Sequence, residues 1–189
     1  MELIQVAALV FGVAEVLLAR ANKVWLYPTG IISILLSMYS LVLAQLYADC
    51  LLHIYYLIMS IYGWFYWSSK KDEGGLRVTF STRSQWLIAI EISVTGSVLF
   101  YFLLVNFTPS TTPVWDAWVS ATGCAGMWLL TQRKVENWIL LNISNAFAIP
   151  LLIYKELYIL SGLTAFLFVV ACVGYFEWRK LAQTTHAAR

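Results

Sequence analysis

The chain has 189 residues, of which 61% are hydrophobic and only 12% charged, with a mean hydropathy of +0.75 and a net charge of +2. A soluble domain carries roughly 25% charged residues, so this composition argues against a water-soluble globular protein and gives nucleic-acid binding no support. The three cysteines, Cys50, Cys124 and Cys172, are odd in number and unclustered, which suits packing roles rather than a disulfide frame.

Seven apolar runs follow one another at about 3–19, 24–43, 48–67, 84–105, 114–131, 135–153 and 158–178. Each is close to the roughly 20 residues that cross a hydrocarbon core of about 30 Å, and together they use nearly the whole sequence. The first does not read as a cleaved signal, because Met1-Glu2 offers no basic segment and Arg20 and Lys23 come after the run. In the second, Thr29, Ser33, Ser37 and Ser40 form a narrow ridge of small residues suited to close helix packing. The third presents His53, Tyr56, Ser60 and Trp64 on one side, and a lone histidine there is more often a hydrogen-bonded packing residue than a ligand. Glu91 lies about two turns into the fourth, where a carboxylate costs a few kcal/mol unless paired, hydrated or protonated. It reads equally as a cation attractor and as a structural hydrogen-bonding group.

The fifth run adds Trp115, Trp118 and Thr122, with Asp116 near its outer end as Asp49 is in the third. The sixth carries Trp138, Asn142 and Asn145 at i, i+4 and i+7, which is one helical face. An indole beside two carboxamides offers a flat surface with donors and acceptors, a combination suited to a heterocycle with ring nitrogens. The same amides can instead hold helices together. Pro150 is predicted to kink this helix by freeing the carbonyl of Ala146. Trp25, Trp67 and Trp178 stand at run ends and read as interfacial anchors.

Eleven of the twelve Lys and Arg residues then fall on one side of the membrane, and only Lys155 on the other. Basic residues flanking spans stay cytoplasmic, so the N-terminus is expected outside and the C-terminus inside. Arg20, Lys23, Lys70, Lys71, Arg77, Arg83, Arg133, Lys134, Arg179, Lys180 and Arg189 carry this reading.

The two ends of the chain resemble each other at an offset of 111 residues. Gly63-x-Phe65-x-Trp67 recurs as Gly174-x-Phe176-x-Trp178, Leu46-Tyr47 as Leu157-Tyr158, and Lys23-Val24 as Lys134-Val135. Trp25 and Trp138 correspond after a two-residue shift. Residues 3–67 form one repeat, 84–105 a bridging helix and 114–178 a second repeat, all in a single transmembrane domain. An odd bridge makes the repeats parallel, a plan common in transporters, whose substrate site lies near the midplane between repeats. One such site is expected here, with Trp138, Asn142, Asn145, His53, Tyr56, Ser60, Trp118 and Glu91 around it.

A Gly-rich phosphate loop is absent, so the chain is not an ATP-driven pump by itself. One intramembrane histidine, without a thiol or carboxylate cluster, offers neither a catalytic set nor a metal site, and no cofactor is expected.

Several stretches resemble the PnuC family of vitamin transporters. They are Leu46-Tyr47-Ala48 leading into Ile61-Tyr62-Gly63-Trp64, Trp115-Asp116, and Val135-Glu136-Asn137-Trp138 with Asn145 seven residues after the tryptophan. The resemblance runs over nearly the whole chain. It implies an all-α integral membrane protein of seven transmembrane helices in a 3+1+3 plan, similar to the SWEET sugar transporters. It also implies uptake of nicotinamide riboside, thiamine, riboflavin or a deoxynucleoside by facilitated diffusion, with trapping by cytoplasmic phosphorylation. A bacterial inner-membrane location and a homo-oligomer, a trimer among the options, follow from the same resemblance. Nicotinamide riboside carriers tend to have a second tryptophan where this chain has Leu141, and Gln and Asn where it has His53 and Ser60. Those departures, with the carboxylates Glu91, Asp49 and Asp116, favour thiamine, an aminopyrimidine joined to a cationic thiazolium. The rival of another class is a substrate-capture subunit of an energy-coupling-factor importer.

Overall fold

In a computed structural model the chain is all-helical; the structure describes the backbone of residues 2–43, 47–69 and 77–187. The helices are α1 (Glu2–Arg20), α2 (Leu26–Leu43), α3 (Tyr47–Ser69), α4 (Arg83–Phe107), α5 (Pro113–Thr131), α6 (Asn137–Tyr154) and α7 (Tyr158–Ala187). By length and composition α1, α2, α4, α6 and α7 are apolar enough to cross a membrane. α3 is less apolar because it is rich in tyrosine and carries Asp49 and His53. α5 is built largely of small and aromatic residues, and residues 121–127 are buried without a break because α4 and α6 both pack on it.

Two boundaries differ from the hydropathy reading. α6 starts at Asn137, two residues late, because Val135 and Glu136 belong to the turn before it. α7 runs nine residues past Trp178. Residues 179–187 contain no Gly or Pro to stop the helix, and Lys180, Leu181, Ala182 and Gln183 favour helix. Pro150 leaves α6 continuous to Tyr154. Leu46, Lys70, Lys71 and Arg189, which entered the repeat and charge arguments, lie outside the described residues.

The chain divides into two units, Met1–Leu76 and Arg77–Arg189. In the first, α2 packs on α1 and α3; in the second, α5 packs on α4 and α6, and α6 on α7.

The same interior contacts recur in both units at a spacing of 111. α1 ends in a left-handed residue, Asn22 (φ 55°), with Asn22 N donating to Ala19 O at 2.9 Å and Lys23 N to Leu18 O at 3.0 Å. α5 ends on Arg133 (φ 52°), with Arg133 N donating to Leu130 O at 2.9 Å and Lys134 N to Leu129 O at 3.0 Å. Both are Schellman caps, which satisfy carbonyls the helix end would leave bare. Ser33 Oγ donates to Ala8 O at 2.7 Å, and Ser144 Oγ to Val119 O at 2.8 Å, so a hydroxyl ties each helix pair at the same level. Tyr27 meets Trp67 edge-on at 5.2 Å, as Trp138 meets Trp178 at 5.6 Å. Gly63 lies under the Tyr27 ring and Gly174 under the Trp138 ring, each leaving no room for a Cβ. Tyr27 is therefore the residue equivalent to Trp138, where letter matching pairs Trp25 with Trp138. Trp25 is 66% exposed and belongs to a different environment.

A short strap before α4 fastens to the α5–α6 turn. Thr79 N donates to Arg133 O (3.2 Å), Val135 N to Thr79 O (3.1 Å) and Lys134 Nζ to Thr79 Oγ1 (2.8 Å). Ser81 donates to Glu136 Oε2 from both its N (2.8 Å) and its Oγ (2.6 Å). Burial lowers the Lys134 ammonium from its usual 10.5, and the charge of Glu136 partly opposes this. Thr82 then caps α4 in a capping box with Gln85.

Candidate functional site

The second unit contains a cleft of about 390 Å³ between α6 and α7. From α6 come Trp138, Ile139, Asn142, Ile143 and Ala146; from α7 come Phe168, Cys172, Tyr175 and Phe176. Each set falls on one helical face. The volume is in the range of small-molecule sites, which are mostly apolar with a few placed polar groups. Here the wall is aromatic and aliphatic, and Asn142 supplies the carboxamide.

Asn142 is anchored as well as available. Its Nδ2 lies 3.3 Å from Cys172 Sγ. With the amide turned to satisfy both ends, it donates to Phe168 O at 3.1 Å and accepts from Cys172 N at 3.3 Å. Either way the side chain bonds α7, and in the turned orientation it keeps half its capacity of two donors and two lone pairs. Site and glue are thus the same side chain.

Trp138 is 1% exposed. Gly174 lies against its ring and Trp178 meets it edge-on, so it forms the floor of the cleft rather than a free stacking wall. Its Nε1 is buried and unpartnered. The rings with more open surface are Tyr175, which the sequence pattern does not mark, and Phe176, which it marks only as part of the repeat motif. Phe168, Cys172 and Tyr175 are spaced i, i+4 and i+7, a signal that was present but resembled a lipid-facing stripe.

The other expected site residues are distributed differently. Trp118 is half-buried where α5 meets α6, edge-on to Phe147 at 6.1 Å, with its Nε1 buried and unpartnered. Asn145 is half-buried on α6 outside the cleft lining. Glu91 is exposed on α4. Asp116 is taken: both its oxygens accept from Lys155 Nζ, at 2.6 and 2.7 Å, and Ser110 Oγ donates to it at 2.6 Å. Leu141 also lies outside the cleft lining and packs over Gly126 of α5. In the first unit, His53 Nδ1 is 2.9 Å from Asp49 O. A carbonyl can only accept, so that nitrogen carries the proton. Tyr56 meets the His53 ring edge-on at 6.4 Å. Ser60 is fully buried with Oγ unpartnered. Among the described residues no group of His, Cys, Asp and Glu could hold a metal.

Comparison with known proteins places this architecture. Residues 2–180 match the family model described as nicotinamide mononucleotide transporter. The nicotinamide riboside transporter PnuC of Escherichia coli (strain K12) is 23% identical over 206 residues, covering 95% of this chain and 86% of that protein. PnuC of Shigella flexneri matches to the same extent. A crystal structure of the vitamin B3 transporter PnuC has a TM-score of 0.75 at 22% identity, covering 96% of this chain and 82% of that one, which shows a shared fold. With the family model matched along nearly its whole length, this seven-helix, multi-pass membrane protein belongs to the nicotinamide mononucleotide transporter family, the PnuC family of transporters.

Proposed function

We propose that the protein takes up nicotinamide riboside by facilitated diffusion, the α6–α7 cleft forming part of its binding surface. The observation that carries this reading is a carboxamide, Asn142, set among aromatic side chains in a cleft of about 390 Å³. Nicotinamide offers its own carboxamide, which pairs donor to acceptor and acceptor to donor with the free capacity of Asn142. Tyr175 and Phe176 supply ring surface for the pyridinium. Trp138 lines the same cleft, and Asn145, Trp118, Glu91, His53, Tyr56 and Ser60 remain candidates for substitution.

Thiamine, favoured by the sequence departures, finds no support in the relatives, which are nicotinamide riboside transporters. Two of its grounds also weaken. Asp116 is engaged by Lys155, and the position of Leu141 faces Gly126 instead of the cleft, so a tryptophan missing there takes no wall from it. The capture-subunit alternative gives way to the family match.

The N-terminus is proposed outside and the C-terminus in the cytoplasm, from the basic asymmetry. Net uptake then depends on phosphorylation inside the cell. Proteoliposome uptake of labelled nicotinamide riboside, with and without imposed proton and sodium gradients, tests the mechanism. Equilibration without accumulation supports it, and uphill uptake driven by either gradient refutes it.

A further inference from the structure

The two units differ sharply at one matched contact. In the second, Leu141 of α6 packs over Gly126 of α5. In the first, the partners are reversed and the apolar group is replaced by a charge. Glu15 of α1 lies over Gly30 of α2, its carboxyl carbon and one oxygen 2.5 Å from where a Cβ on that glycine would stand. Glu15 corresponds to Gly126, and Gly30 to Leu141, at the same spacing of 111 that relates the recurring contacts of the two units.

The second unit is therefore an internal control. It shows that this helix–helix level closes well with a leucine over a glycine, so packing alone does not call for a carboxylate. Charged groups inside spans are expensive and tend to mark pathways or binding. Gly30 is buried, and any larger residue would displace the carboxylate from α2. Among the described residues no hydrogen bond or ion pair reaches Glu15. α2, the helix packed on α1, contains no Asp, Glu, Lys, Arg or His. On α1 itself the other charged residues are Glu2, at the opposite end, and Arg20, more than a full turn away. Glu15 as a residue is half-buried, with its carboxyl group held against Gly30.

We propose that Glu15 is the fixed counter-charge by which this transporter selects a positively charged cargo. The inference rests on the transport reading above and adds to it a specificity-determining residue in the first unit. A pyridinium nucleoside carries its charge on the ring nitrogen, and a negative group within the span offsets the loss of hydration around it.

The test compares nicotinamide riboside with its reduced dihydropyridine form, which has the same shape class and no ring charge. Wild type, Glu15→Gln and Glu15→Leu are reconstituted, and uptake of each form is measured beside the melting temperature. Both variants should melt at or above wild type, as leucine over glycine does in the second unit. Uptake of the cation should fall by about tenfold or more, while the neutral form stays within about threefold, the gap being the loss of a charge-assisted contact. Equal loss of both forms, or loss of neither, overturns the proposal. So does a Glu15→Gln protein that melts lower and loses uptake in proportion, which marks a structural role. A wild type that takes up neither form refutes the cargo assignment alone. The comparison is then made with thiamine, a permanent cation, and an unchanged Glu15→Gln affinity for thiamine overturns this inference.

Discussion

Replacing Trp138 separates a core tryptophan from a cargo-stacking one. The indole is 1% exposed, with Gly174 against its ring and Trp178 at 5.6 Å. Trp138→Ala therefore opens a cavity in packed interior, where such truncations cost about 3–5 kcal/mol. For a protein of this size that corresponds to a melting shift of roughly 6–20 °C. Trp138→Tyr borrows the residue the first unit uses, since Tyr27 makes the equivalent edge-on contact with Trp67. It removes an N–H that has no partner, so it should cost under about 1.5 kcal/mol and leave affinity within about threefold. Scanning fluorimetry in detergent and equilibrium binding read both quantities. A Trp138→Ala protein that melts like the parent refutes the core reading. So does a Trp138→Tyr protein of normal stability that binds tenfold more weakly, because the indole face would then be the cargo's wall.

Gly63→Ala and Gly174→Ala should each destabilise by about 1–3 kcal/mol through overpacking, with Gly63→Ala the worse because its Cβ would come closer to the ring above it; melting temperatures of the pair check the order. Asn142→Leu should weaken nicotinamide riboside binding by about tenfold and also loosen α6 from α7, which hydrogen exchange in α7 would report. Burial lowers the Lys134 pKa, so between that lowered value and 10.5 the unfolded chain binds more protons than the folded one. Stability attributable to Lys134 should then rise with pH through that window, and Lys134→Met should flatten that part of a pH–melting profile.

The helices were legible because hydropathy in runs of about 20 residues is a strong signal. Their ends were less so: Val135 and Glu136 sit in a turn just before α6, and α7 continues past Trp178 through residues of good helix propensity, with Ala182 buried. The offset of 111 was readable from Gly63 and Gly174, but identity matching paired the two tryptophans Trp25 and Trp138. Contacts pair Trp138 with Tyr27, because a buried ring on a glycine is the preserved feature and its chemistry is not. The polar stripe on α6 was visible in the letters. Its division was not: Asn142 faces α7 and the cleft, while Trp118 and Asn145 lie outside the cleft lining. The α7 half was hidden because an aromatic stripe looks the same toward lipid and toward a cleft. Glu15 stands alone among apolar residues, and only the leucine at the matched contact in the other unit makes it conspicuous.

A competition panel on the purified protein bears on the cargo most directly, with nicotinamide riboside, thiamine, riboflavin and deoxynucleosides displacing labelled nicotinamide riboside. Nicotinamide riboside should bind most tightly, and Asn142→Leu should remove most of its advantage over the others. Tighter binding of thiamine, riboflavin or a deoxynucleoside, or an Asn142→Leu protein with an unchanged ranking, would contradict the account.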